Sequence, residues 1–105
     1  KDLDILELEI IDNIKNVIKL VSKKEKLAVS RSASNIQKII SKNTIDYTKI
    51  YKELFSDSDI PPFLKMVINE YANKHGNSML PEMNFMAMIY SMIKILNGYN
   101  DLLKK

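Results

Sequence analysis

The stretch MLPEMNFMAMIYSMIKIL, residues 79–96, decides how this chain is read. It carries Met79, Met83, Met86, Met88 and Met92, five of the six methionines, with Phe85, Ile89, Tyr90, Ile93, Ile95 and Leu96 between them. From Glu82 to Leu96 the only charges are Glu82 itself and Lys94. A helix with so little polar surface does not lie on the outside of a bundle in water. Two readings fit: it is the central helix of the bundle, or it keeps a face for a partner. Methionine serves both, because its unbranched thioether adapts to a core gap and to varied partners alike. In the second reading Met86, Ile89, Ile93 and Leu96 face the bundle. Met88, Met92 and Ile95, with Tyr99 beyond, then meet a protein partner or a twin subunit, since so large an apolar patch is a liability when bare.

Working outward, the same 3.6-residue period recurs along the chain. Leu3, Leu6, Ile10, Ile14, Val17 and Val21 form one stripe, widened by Ile11 and Ile18, and predict a first helix over residues 3–22. Val29, Ala33, Ile36 and Ile40 predict a second, starting at residue 26 or 30 and ending at 41; Ser30, Ser32 or Ser34 could cap it. Thr44 is the expected cap of a third helix, with Asp46 in its first turn and Tyr47, Ile50, Tyr51, Leu54 and Phe55 on its apolar face. Ser56-Asp57-Ser58-Asp59 reads as a loop. Pro61 bars helix at Ile60 and can open a fourth helix with Leu64, Val67, Ile68 and Tyr71 inward, and Gly76 fits the residue just past its end. The fifth helix is expected from about Pro81 to Asn97-Gly98. Gly and Pro are otherwise scarce, so the fold class is all-α: a compact antiparallel bundle of four to five helices in a single domain, residues 1–105.

The composition is ordinary globular material, 46% hydrophobic and 28% charged. The absence of cysteine removes disulfides, thiolate metal sites and cysteine nucleophiles, and fits a cytoplasmic protein. The longest nearly apolar run is shorter than the roughly 18–20 residues a membrane span needs. Lys1 stands where an initiator methionine would, so the chain reads as a fragment or a processed form.

The net charge of +3 is unevenly spread. Residues 1–14 hold five acids and one lysine; residues 15–52 hold nine lysines and Arg31 against Glu25 and Asp46. Lys15, Lys19 and Lys23 fall at i, i+4, i+8 on one face, followed by Lys24, Lys26, Arg31, Lys38 and Lys42. Such a set is either a solvated face or a basic surface for nucleic acid or an anionic membrane, the former with salt-sensitive, sequence-blind binding.

Catalytic chemistry finds little footing. The lone histidine, His75, falls at a helix end, where a cation is favoured without any function. Asp57 and Asp59 have the spacing of metal ligands, but without the glycine and distal glutamate of a calcium loop they read as loop and cap residues. Tyr47 and Tyr51 could stack on bases, yet they sit where core residues belong. No catalytic residue, metal, cofactor or small-molecule substrate is expected.

The second half carries one resemblance. Ser58-Asp59-Ile60-Pro61-Pro62-Phe63-Leu64-Lys65-Met66, then Ile68-Asn69-Glu70 with Ala72-Asn73, precede a loop with Gly76 and Leu80. A last helix ending Ser91-Met92-Ile93-Lys94-Ile95 follows, and then Asn97-Gly98-Tyr99. This order resembles the pediocin-type (class IIa) bacteriocin immunity proteins, small basic cytosolic four-helix bundles. The resemblance implies a cofactor-free protein that engages a membrane receptor from the cytosol through its last helices and C-terminal tail. Two features depart from the family: the longer N-terminal segment, and an apolar last helix where the family has a charged one. The expected function is therefore non-enzymatic recognition of a protein, with bacteriocin immunity its most specific form. The alternatives are a small viral or phage accessory protein that binds nucleic acid or nucleoprotein through its lysine-rich half, and an oligomerisation or interaction domain of a larger protein.

Overall fold

A computed structural model describes residues 3–103, with side chains through residue 99. Among them the chain forms five helices and no strand: α1 (Ile5–Ser22), α2 (Lys26–Lys42), α3 (Tyr47–Ser56), α4 (Pro62–His75) and α5 (Pro81–Leu103). The all-α bundle expected from periodicity is the fold observed.

The first helix starts one residue beyond a capping box. The Asp4 carboxylate accepts from the Glu7 N–H at 2.8 Å, and the Glu7 carboxylate accepts from the Asp4 N–H at 3.0 Å. Glu7 is almost fully buried, and this reciprocal bond is what satisfies it there. Leu3, expected in the helix, lies just outside it and packs against the core from there.

The other end closes with a Schellman turn. Lys24 N–H donates to the Val21 carbonyl and Glu25 N–H reaches back to that of Leu20, with Lys24 in the left-handed region at φ 60°. The turn leaves a single residue, Glu25, before α2 begins at Lys26. The serine caps expected for α2 are not used: Ser30, Ser32 and Ser34 all lie inside the helix. Ser32 is buried and accepts from the Asn16 amide of α1 at 3.3 Å.

Two further boundaries differ from expectation. Asp46, not Thr44, caps α3, accepting from the Lys49 N–H three residues on. The fifth helix does not stop at Gly98 but runs to Leu103. The Tyr99 ring lies 5.3 Å from that of Phe63 on α4, a contact that favours the helical turn past the glycine. Gly76 ends α4 with helical backbone, φ −65°, so its left-handed freedom is not used.

The Met-rich helix is central. It packs on α1, α2 and α4, and Phe85, Met88, Ile89, Met92 and Leu96 are buried against Ile10, Ile14, Ile36, Leu64 and Ile68. A polar seam fixes the second half of the bundle. The Asn84 amide nitrogen on α5 donates to the Tyr51 hydroxyl of α3 at 3.1 Å and the Tyr71 carbonyl of α4 at 2.9 Å. The hydroxyls of Tyr71 and Ser91 meet at 2.8 Å.

Candidate functional site

The apolar face expected to meet a partner is corrected in half its members. Met88 is 0% exposed and Met92 nearly so: α1 and α4 flank α5 closely enough that both methionines become core. Ile95 and Tyr99 remain exposed along the α4 side of α5, with Tyr99 against Phe63.

The basic residues do not form one surface. Lys15 turns away from Lys19 and Lys23 to meet Asp57 at 2.6 Å and Asp59 at 3.4 Å in the loop before α4. Its ammonium is held above the ordinary lysine value chiefly by the bond to Asp57, against the opposing effect of burial. Lys19 and Lys23 stand on the outer face of α1. Arg31, Lys38 and Lys42 project from the outer face of α2, opposite the buried Val29, Ala33, Ile36 and Ile40. No acid occurs anywhere in α2.

Lys24 and Lys26 go elsewhere, to the rim of a groove. Beyond the α1–α2 turn, α2 and α5 border an opening. The opening of about 540 Å³ has Val21, Val29, Ala33 and Ile93 along it, with Tyr90 and Asn97 on the α5 side. Tyr90 is 52% exposed despite its size. The groove is apolar in its depth and charged at its edge, where Glu25 stands between Lys24 and Lys26, and its shape suits an amphipathic segment. Tyr90, Ile93 and Asn97 follow an i, i+3, i+7 pattern on a side of α5 that the methionine stripe obscures. That pattern was the available signal for this site.

His75 is accounted for by packing. Its ring meets Tyr51 edge-on at 5.7 Å and lies 6.1 Å from Tyr47, behind which sits the buried Phe85. Its Nδ1 is buried without a hydrogen-bond partner among the described residues, so no carboxylate orients the ring for proton transfer. Tyr47 is pushed up to about 12, first by burial and then by the charge of Glu82 and by Tyr51. Asp57 and Asp59 are engaged with Lys15, and no group of three or more potential metal-ligating side chains occurs among the described residues. No described helix is long and apolar enough to cross a membrane. No protein-family model, curated protein or solved structure matches this chain.

Proposed function

We propose that the chain is a non-catalytic binding module that accepts an amphipathic helix of a protein partner in the groove between α2 and α5. The observation that carries this reading is the half-exposed Tyr90 beside the apolar Val21, Val29, Ala33 and Ile93, with Lys24 and Lys26 at the rim. Covering apolar surface is favourable by about 25 cal/mol per Å² before the costs of association. The rim, Lys26 and Lys24 with Glu25 between them, carries a net positive charge that favours a segment with acidic flanks.

The most specific form is an immunity-type protein that works in the cytoplasm on a membrane receptor. It draws support from the exposed Tyr99, set against the partly buried Phe63, at the ends of the two helices through which the resemblance implies contact. A second reading, nucleic-acid binding, draws on the outer face of α2, whose Arg31, Lys38 and Lys42 are unopposed by any acid in that helix.

The test compares the wild-type chain with Tyr90→Glu and with the triple variant Arg31→Glu/Lys38→Glu/Lys42→Glu. Each is used to capture partners from a lysate of its own source, with and without nuclease, after circular dichroism has shown it folded. A protein partner that survives nuclease, is lost with Tyr90→Glu and is kept by the triple variant supports the groove. Capture lost on nuclease treatment and in the triple variant replaces it with the nucleic-acid reading. The immunity form requires in addition that expression protects a bacteriocin-sensitive cell; unchanged killing across pediocin-type bacteriocins removes it.

A further inference from the structure

The outer face of α1 has its charges sorted by sign. Ile5, Leu8, Glu9 and Asp12 occupy its N-terminal half and Lys19 and Lys23 its C-terminal half, all exposed. At 3.6 residues per turn these positions share one sector, opposite the buried Ile10, Ile14, Val17 and Val21. The one lysine that could blur the division, Lys15, is drawn off to Asp57 and Asp59. Glu9, Asp12, Lys19 and Lys23 make no ion pair among the described residues. Two large apolar side chains bracket the face: Ile5 at its start, 82% exposed, and Leu27 just beyond the α1–α2 turn, 78% exposed.

We propose that this face is self-complementary, and that two copies of the chain associate through antiparallel α1 helices about a two-fold axis near Asn16. Reversal about residue 16 sets residue 9 opposite residue 23, the residue that caps α1. Glu9 then meets Lys23 of the other copy, and Asp12 lies within a residue of facing Lys19. Each contact occurs twice, as a two-fold interface requires. A parallel arrangement would set acid against acid and lysine against lysine, so the charges fix the direction. A face whose two halves carry opposite charge complements a reversed copy of itself, and that self-complementarity selects a second copy as the occupant. The surface is shallow and furrowed, with Ile5, Leu8, Glu9 and Asp12 toward one end, Lys19 toward the other, and Lys15, paired with Asp57 and Asp59, at its edge. With its charged pairs near solvent, the dimer is weak and salt-sensitive. This interface is separate from the partner groove and does not rest on it.

The experiment is sedimentation velocity on the full chain over a concentration series to about 1 mM, at low and high salt. Two charge-reversed variants accompany it: Glu9→Lys/Asp12→Lys, with a wholly basic face, and Lys19→Glu/Lys23→Glu, with a wholly acidic one. All four sites are exposed, and circular dichroism checks that the fold is kept. The wild type is expected to dimerise at low salt and dissociate as salt rises. Each variant alone is expected to lose at least about tenfold in self-association. An equimolar mixture of the two is expected to regain it as a heterodimer. A wild type that stays monomeric overturns the proposal, as do variants that dimerise like the wild type or a mixture that does not associate. Species that keep growing beyond the dimer overturn the two-fold arrangement in favour of head-to-tail contacts.

Discussion

The Lys15 ammonium stands 2.6 Å from a carboxylate oxygen of Asp57, tying the middle of α1 to the loop between α3 and α4. Burial works to raise the Asp57 carboxyl. The Lys15 bond, the Asp59 N–H at 2.8 Å and the charges of Lys15 and Lys65 outweigh it, and the group is held below the ordinary carboxylate value. A depressed carboxyl contributes stability that is present above its unfolded value and is lost as pH falls through its folded one. Asp57→Asn is expected to cost about 1 kcal/mol near neutral pH. The difference from wild type should begin to shrink as pH falls below about 4 and vanish below the depressed folded value. Paired thermal melts near pH 7 and in a descending series below about pH 4 check both halves.

Tyr47 gives the opposite dependence at the alkaline end. Its hydroxyl is raised from 10.0 to about 12 by burial first, then by Glu82 and Tyr51. The folded state therefore holds its proton where the unfolded state has lost it, and stability falls as pH climbs through that window. Tyr47→Phe is expected to flatten the decline, and Glu82→Gln to bring the tyrosinate absorbance change to lower pH. An unaltered absorbance titration in the Gln variant would remove Glu82 from the account.

Lys24 carries the left-handed φ that ends α1, a conformation with a steric cost for any residue that has a Cβ. Lys24→Gly relieves that cost and adds freedom to the unfolded chain. The net expectation is a gain of about 0.5–1 kcal/mol. Chemical denaturation, with an unchanged dependence on denaturant, is the measurement. A loss of stability would mean that the lysine side chain contributes more than its backbone costs.

Met88 and Ile95 lie seven residues apart on one helix and should answer truncation differently. Met88→Ala empties a fully buried position and is expected to cost about 2–5 kcal/mol. Ile95→Ala removes an exposed side chain and should stay within about 1 kcal/mol. Equal costs would mean that Ile95 is covered in solution, by the chain's own C-terminal residues or by another molecule.

The helices were legible because stripe and punctuation agree: Pro61 and Pro62 before α4, Pro81 opening α5, and a clean apolar face on each. Boundaries were less so where two residues offer the same chemistry. Thr44 and Asp46 are both competent caps, and only the bond from Lys49 N–H to Asp46 separates them. Gly98 reads as a stop until Tyr99 is seen against Phe63, a contact 36 residues away in the chain. Site residues depend more strongly on such distant contacts. Lys15 looks like part of a lysine ladder because its acid, Asp59, is 44 residues off. Met88 and Met92 could have faced either way, since a helix apolar on several sides does not announce how many neighbours it has. The groove beside Tyr90 needs α2 alongside α5, and the Tyr90, Ile93 and Asn97 pattern on α5 does not by itself say which helix lies there.

The Asn84 amide nitrogen serves Tyr51 on α3 and Tyr71 on α4 from a position on α5. One side-chain nitrogen thus joins three helices, beside the Tyr71–Ser91 hydroxyl pair between α4 and α5. Substitution at this position removes two inter-helix bonds at once. Opening of α5 breaks both, and opening of α3 or α4 breaks one. Backbone amides across α3, α4 and the first turns of α5 are therefore expected to share an opening event, which hydrogen exchange would register as one cooperative unit.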